Sequence, residues 1–264
     1  MPPTSTIVIP ARLASTRLSE KLLRRVGGKS VLQHTYDAAS KSTIVPNGSI
    51  VVAVDDQRIA DEVDSFGGKW VMTSPDCPSG TDRIAEVAQA MPEVDVFVNV
   101  QGDEPEIDPA AIDAVAQALI DCPSADMSTV GTPIRNESIL QDPSNVKIVM
   151  AGDPKTGQGR AVYFSRSVVP HNRDGNTRDG IDPSVFSAEP PIYWHHLGLY
   201  AYRREFLEWF ASQPPSLLET TERLEQLRAI ESGKHIAVTQ VDHAAPGIDT
   251  QADLDAFAQR VATR

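Results

Sequence analysis

The chain has 264 residues, 41% of them hydrophobic, and a formal net charge of −12. That length supports a substantial α/β core. The acidic balance excludes a general nucleic-acid or anionic-membrane surface, but leaves room for a small anion held in one basic cleft. Cys77 and Cys122 are the only cysteines, too few for a disulfide framework or a zinc site, so a reduced, cytoplasmic location is expected. Met1-Pro2-Pro3-Thr4-Ser5 has no charged n-region or apolar h-region, so no signal peptide is expected. No apolar run approaches the ~20 residues of a membrane span.

In chain order, Ile7–Ile9 reads as a strand, and Ser30 caps a helix to about Ser40 with Leu32, Tyr36 and Ala39 on one face. Ile50–Val54 is a second strand. The helix after it buries Ile59, Val63 and Phe66 and stops at Gly67-Gly68. Trp70–Thr73 is a third strand, followed by a helix from about Thr81 to Met91. Val94–Val100 is a fourth, strongly apolar strand, and Asp108-Pro109 opens a further helix as cap and first position. This alternation predicts an α/β fold with a doubly wound, mostly parallel sheet.

The second half reads differently. Met127–Pro133, Val146–Met150, Ala161–Ser165 and His196–Tyr202 are strand-like with fewer helices between them, which predicts a smaller mixed α/β extension used for dimerisation. Residues 171–193 read as a long loop. Helices are expected over about 204–212 and 217–232, then a strand near Ile236–Val241 and a last helix near 251–262. The 264 residues read as one domain, with the extension around 133–202.

Chemistry concentrates at the carboxyl ends of the early strands, where open α/β sheets bind nucleotides. Between Arg12 and Lys29 the chain carries Arg12, Arg17, Lys21, Arg24, Arg25 and Lys29 against Glu20 alone. A basic reversal in an acidic protein needs a local anion, and a triphosphate needs several fixed cations. No Walker A pattern is present, which argues against a P-loop ATPase. The apolar strand ending in Gln101-Gly102-Asp103-Glu104-Pro105 offers Asp103 as a ligand for the Mg²⁺ of a nucleoside triphosphate, with Gly102 allowing close approach; Glu104 reads as solvated, and the whole segment also reads as a plain turn. Asp249 joins that metal site only if the fold brings it to Asp103, because Thr250 and Asp253 read equally well as a capping box. In Pro78-Ser79-Gly80-Thr81-Asp82-Arg83, the cation Arg83 in a first helical turn points to an anionic or carbonyl partner. His195 and His196 adjoin in a strand and point to opposite faces. Glu225 and Gln226 flank a buried side marked by Leu224, Leu227 and Ile230, and Glu225 also reads as a surface partner of Arg228.

Together, the ordered segments IPARLASTRLSEK, PSGTDR, VNVQGDEP, NVKIV, YFSR, HHLGLYAY, LETTERLEQLR and PGIDT resemble the 3-deoxy-manno-octulosonate cytidylyltransferase family across nearly the whole chain. The resemblance implies a nucleotide-diphospho-sugar transferase-like fold, a homodimer, and activation of the sugar acid Kdo by CTP for lipopolysaccharide-type glycans. It implies that Ala11, Arg12, Ser15, Arg17 and Lys21 hold CTP, with Ser79, Gly80 and Arg83 near the cytosine. It implies Asp103 and Asp249 as Mg²⁺ ligands and Lys21 as the charge stabiliser. Gln101, Arg166, His196, Tyr200, Glu225 and Gln226 would surround the sugar acid, Arg166 facing its carboxylate with a bidentate fork. Where the family usually shows RLPGKPL, this chain has Arg17-Leu18-Ser19-Glu20-Lys21-Leu22-Leu23, which sets an acid beside Lys21. A cytidylyltransferase for another sugar acid, such as a sialic acid or amino-Kdo analogue, and a non-catalytic nucleotide-sensing module are the alternative readings.

Overall fold

The computed structural model describes residues 3–15, 17–45, 49–153, 157–177, 180–243 and 246–263. Thr16 of the basic loop, Ala245 of the turn before Asp249 and part of the 171–193 segment therefore lie outside the described residues. The chain divides into two compact units, the first built from Met1–Ala116, Ala201–Ala211 and Ala245–Arg264, the second from Gln117–Tyr200 and Ser212–Ala244.

The first unit carries four parallel strands in the order Lys69–Met72, Ile50–Val54, Ser5–Ala11, Val96–Asn99. Their central residues are apolar and sealed from water: Ile7, Val8, Ile9, Val52, Val54, Phe97 and Val98 are all fully buried. A strand apolar on both faces is the signature of a parallel sheet with helices on either side. The helices are Val31–Ala39, Gln57–Ser65, Gly80–Ala90 and Gln251–Ala262. Ser30 caps the first through Gln33 N, as its sequence implies, and Asp108 accepts from Ala110 N at the start of Pro109–Asp121. The chain leaves Ser5–Ala11 toward one edge and later returns to its other side as Val96–Asn99. Strand order reverses between these two neighbours, so their carboxyl ends flank a topological switch point.

The second unit is mixed. Ile236–Gln240 runs parallel to Met127–Pro133 and antiparallel to Gln158–Ser165, which in turn pairs antiparallel with Lys147–Asp153. The 171–193 segment is not one featureless loop. It contains the paired two-residue strands Asn176–Thr177 and Gly180–Ile181 and a 3₁₀ turn Pro183–Ser187. Val185 and Tyr193 from it join Ile134 and Leu140 in a small core, which is why the segment is ordered without periodicity. The expected helix over 217–232 is two helices, Leu217–Glu222 and Gln226–Glu231. The break falls at Arg223, whose φ of 55° is left-handed. The carbonyls freed there are not wasted: Arg166 donates from Nε to Glu222 O at 2.8 Å and from Nη2 to Arg223 O at 3.3 Å. A long-range donor thus makes the break affordable, and no local pattern announces it.

Candidate active site

At the switch point lies an open cleft, lined by Arg12, Ser15, Arg17, Lys21, Gly80, Gln101, Gly102, Asp103 and Asp249 among others. Three of its elements have local causes. The first strand stops at Ala11, buried and paired with Val54, and the basic loop begins there. Gly102 suits a close approach, since a Cβ there would sit 3.0 Å from Pro10 O. Thr250 and Asp253 do form the capping box, and the Asp253 carboxylate also takes the Asp249 amide at 3.1 Å. The cap and the site are therefore one construction, in which the box holds the backbone of Asp249 and leaves its carboxylate free to face Lys21.

Lys21 joins the pieces. Its Nζ lies 2.5 Å from Asp103 Oδ2 and 3.0 Å from Asp249 Oδ1, and Arg17 Nη2 reaches the same Asp249 oxygen at 3.0 Å. Asp249 therefore meets Asp103 in space, across a cation. Burial pulls the Lys21 ammonium down, but the Asp103 charge and the hydrogen bonds to both carboxylates outweigh it and leave the group above its ordinary range. Glu20, the acid beside Lys21, turns to Arg58 at 2.8 Å. Glu104 is partly buried, not solvated, and burial together with the Asp103 charge pushes its carboxyl up to about 8.

Two carboxylates that share one ammonium form a place for a cation, and Lys21 occupies it. Among the described residues no group of three or more acidic, histidine or cysteine side chains gathers to hold a metal by protein alone. Asp103 and Asp249 thus fit Mg²⁺, which takes one or two carboxylates and completes its shell with water and substrate phosphates.

The cytosine-side residues are placed unequally. Gly80 lines the cleft, whereas the Ser79 hydroxyl caps its helix, accepting from Asp82 N at 3.1 Å and donating to Asp82 Oδ2 at 2.7 Å. Arg83 is fully buried, bonded to Thr73 Oγ1 and 3.4 Å from Asp55 Oδ2. It has the anionic partner its position implies, inside the core and away from the cleft lining. Burial lowers its pKa, and Asp55 offsets part of that.

The residues expected around the sugar lie in the second unit, except Gln101, whose Nε2 is 3.4 Å from Asn99 Oδ1 in the first. Arg166 spends three donors on the carbonyls of Glu222, Arg223 and Pro143. His196 is buried, 3.0 Å from Thr129 Oγ1 and packed against Phe164 and Tyr200; burial drives it down to about 3, so it is neutral. Gln226 is buried with its Nε2 lacking a protein partner, and Glu225 precedes the helix Gln226–Glu231. Arg228 is buried and takes a bidentate pair with Glu219, at 2.6 and 2.7 Å. Sequence reading passed over the supports of these residues. Lys147, fully buried, donates to Arg166 O at 2.9 Å, and Asp55 accepts from Leu13 N at 2.9 Å. Asp55 carried one signal, its position just past the end of a buried parallel strand.

The cytidylyltransferase family model matches residues 6–236. The chain is 57% identical over 255 residues to a 3-deoxy-manno-octulosonate cytidylyltransferase of Rhodopirellula baltica, covering 97% of each chain. It is 43% identical over 256 residues to the protein of that name in Geobacter sulfurreducens, covering 97% of this chain and 98% of the other. A solved CMP:2-keto-3-deoxy-manno-octonic acid synthetase complexed with CTP superposes with a TM-score of 0.86 at 37% identity, over 98% of this chain and 99% of that one. The fold and the switch-point cleft define the class, a nucleotidyltransferase-like α/β protein. Within it, the chain belongs to the 3-deoxy-manno-octulosonate cytidylyltransferases of the cytidylyltransferase family.

Proposed function

We propose that the protein couples CTP to Kdo, giving CMP-Kdo and pyrophosphate for lipopolysaccharide-type glycan synthesis. The observation that carries this reading is Lys21 held between Asp103 and Asp249 at a cleft lined by Arg12, Ser15 and Arg17. The anomeric hydroxyl of the sugar acid attacks the α-phosphorus; a new P–O bond forms, the α–β bridging bond breaks, pyrophosphate leaves with the bond's electron pair, and the hydroxyl proton is released to solvent. Such a transfer asks the protein chiefly for positioning and charge stabilisation. Arg12 and Arg17 grip the phosphates. Lys21 leaves its carboxylate partners for the phosphate oxygens and offsets the charge that develops on pyrophosphate. Asp103 and Asp249 would hold Mg²⁺, which would supply Lewis-acid polarisation at the α-phosphate. On the sugar side, Gln101, Arg166, His196, Tyr200, Glu225 and Gln226 form the recognition set; the buried, unpartnered Gln226 Nε2 supports this, since such a donor costs free energy until a ligand accepts from it.

A homodimer formed through the extension around 133–202 belongs to the same reading, as does a cytoplasmic location, which the two free cysteines suit. No helix among the described residues is long and apolar enough to cross a membrane. The test is pyrophosphate release by purified protein with CTP and Mg²⁺ across a panel of sugar acids, neutral sugars and polyol phosphates. Turnover with Kdo above all others is expected. Preference for a sialic acid or amino-Kdo analogue would move the substrate assignment, and CTP binding without turnover on any sugar would point to a sensing module.

A further inference from the structure

The basic loop has an anchor that no cleft-lining residue supplies. Asp55 follows the strand Ile50–Val54, whose last residue pairs with Ala11 at the end of the first strand. Asp55 therefore sits beside the point where the loop departs. Its Oδ1 accepts the Leu13 amide at 2.9 Å, and its Oδ2 faces the Arg83 guanidinium at 3.4 Å, with side-chain exposures of only 10% and 0%. Arg83 also donates to Thr73 Oγ1, which in turn donates to Val54 O at 2.9 Å. A second tie runs alongside: Arg12 Nη2 donates to Cys77 O at 2.8 Å, just ahead of the turn Ser79–Gly80.

From these links we infer that Asp55 and Arg83 are positioning residues that lock the phosphate loop and the cytosine-side turn into one preset arrangement. Neither lines the cleft, yet each holds a neighbour that does: Arg83 lies on the helix that Gly80 opens, and Asp55 grips the backbone between Arg12 and Ser15. The physical reason is entropic. An irregular loop that carries Arg12, Ser15 and Arg17 must be ordered before it can grip a triphosphate, and each freely rotating residue adds to the ordering cost at binding. A charge-assisted bond to one backbone amide, made where water is scarce, meets that cost during folding. Arg83 keeps the Asp55 carboxylate aimed. The assignment of Arg83 to the cytosine thus becomes an indirect role, exerted through Asp55 and through the helix start.

This inference rests on CTP occupying the cleft, and the experiment separates the two. Asp55→Ala alone leaves the buried Arg83 cation without its partner and risks unfolding. The pair Asp55→Ala/Arg83→Met removes both charges and keeps apolar volume. CTP affinity by calorimetry, the melting temperature and amide exchange over residues 11–22 are measured on wild type and on the pair. A melting temperature near wild type, CTP bound about tenfold or more weakly, as loss of one bond to a charged group implies, and faster loop exchange would support the inference. In turnover, KM for CTP should rise while KM for Kdo holds. Asp55→Asn, which keeps an acceptor for Leu13 and lacks the charge, should fall between and decides the matter if the pair does not fold. Wild-type CTP affinity in a folded pair, or in Asp55→Asn if the pair fails, would overturn the inference and leave a plain core ion pair. Absence of CTP binding by the wild-type protein would instead overturn the proposed function, and this inference with it.

Discussion

The cleft of the first unit and the Arg166 region of the second treat their charged residues in opposite ways. In the first, Lys21, Asp103, Asp249 and Arg17 stand at the lip of a cleft and bond chiefly to one another, so a ligand can exchange partners with them. In the second, Arg166 and Lys147 are spent on backbone carbonyls, and His196 is sealed among Thr129, Phe164 and Tyr200. One region keeps its charge ready for exchange; the other uses charge to hold its own chain in shape. A charged residue in a family motif can therefore be a contact or a brace, and only its partners in space tell which.

The strongest way to break this contrast is at the carboxylates. Asp103→Asn and Asp249→Asn should each cut turnover by about 10³-fold, since several kcal/mol of transition-state stabilisation leaves with an anionic metal ligand. Pyrophosphate release at limiting Mg²⁺ checks this, with the melting temperature showing that the fold survives. Near-normal rates in either variant would mean the pair merely neutralises Lys21.

Next in size is Lys21→Ala. kcat should drop by ~10²–10³, about 2.7–4 kcal/mol for a preorganised charge-stabilising group, with KM for Kdo moving less. The free variant should also bind Mn²⁺, a paramagnetic probe, more tightly than wild type, because the ammonium no longer fills the space between the carboxylates. Unchanged Mn²⁺ affinity by spin resonance would argue that metal and Lys21 do not compete.

In the second unit, Arg166→Lys keeps the charge but not the planar fork. Kdo use should fall about 10- to 100-fold, in line with roughly 1.5–3 kcal/mol for bonds to a charged group. Because Arg166 also closes the broken helix end, the variant should melt earlier while CTP affinity stays normal. A lower melting temperature with unaltered KM for Kdo would make Arg166 a brace alone.

The smallest effect is a pH dependence. His196 is held down to about 3 by burial, whereas in the unfolded chain it titrates near 6.5. The unfolded state therefore binds more protons between those values, and the His196 contribution is complete above pH 6.5 and lost as pH falls. From pH 6.5 to pH 5 the loss should be about 2 kcal/mol. Denaturant melts of wild type and His196→Gln across that range provide the check; parallel curves would place the acid sensitivity elsewhere.

Much of the first unit was legible from the chain itself. Ile50–Val54 and Gln251–Ala262 fall where periodicity and caps put them, as do Met127–Pro133 and Arg204–Ser212 later on. The basic loop and the acidic turn were visible as a charge reversal and as a strand end. These signals survive because strand alternation, helical spacing, caps and charge density are all written within a few residues. The short helix Glu137–Gln141 and the elements inside 171–193 escaped, since they are held by a small core assembled from distant positions.

By itself, then, the sequence determined the parallel α/β unit, the charged strand-end edge where its cleft opens and, through an ordered set of motifs, the family. Tertiary structure alone decided which charges meet. Asp249 reaches Lys21 across 228 positions, Asp55 holds Leu13 across 42, and Arg166 closes a helix break 56 residues away. The physical reason is range: a backbone pattern reports what neighbours along the chain prefer, whereas a buried charge takes whichever partner the packing brings within about 3 Å, because leaving it unpaired costs too much.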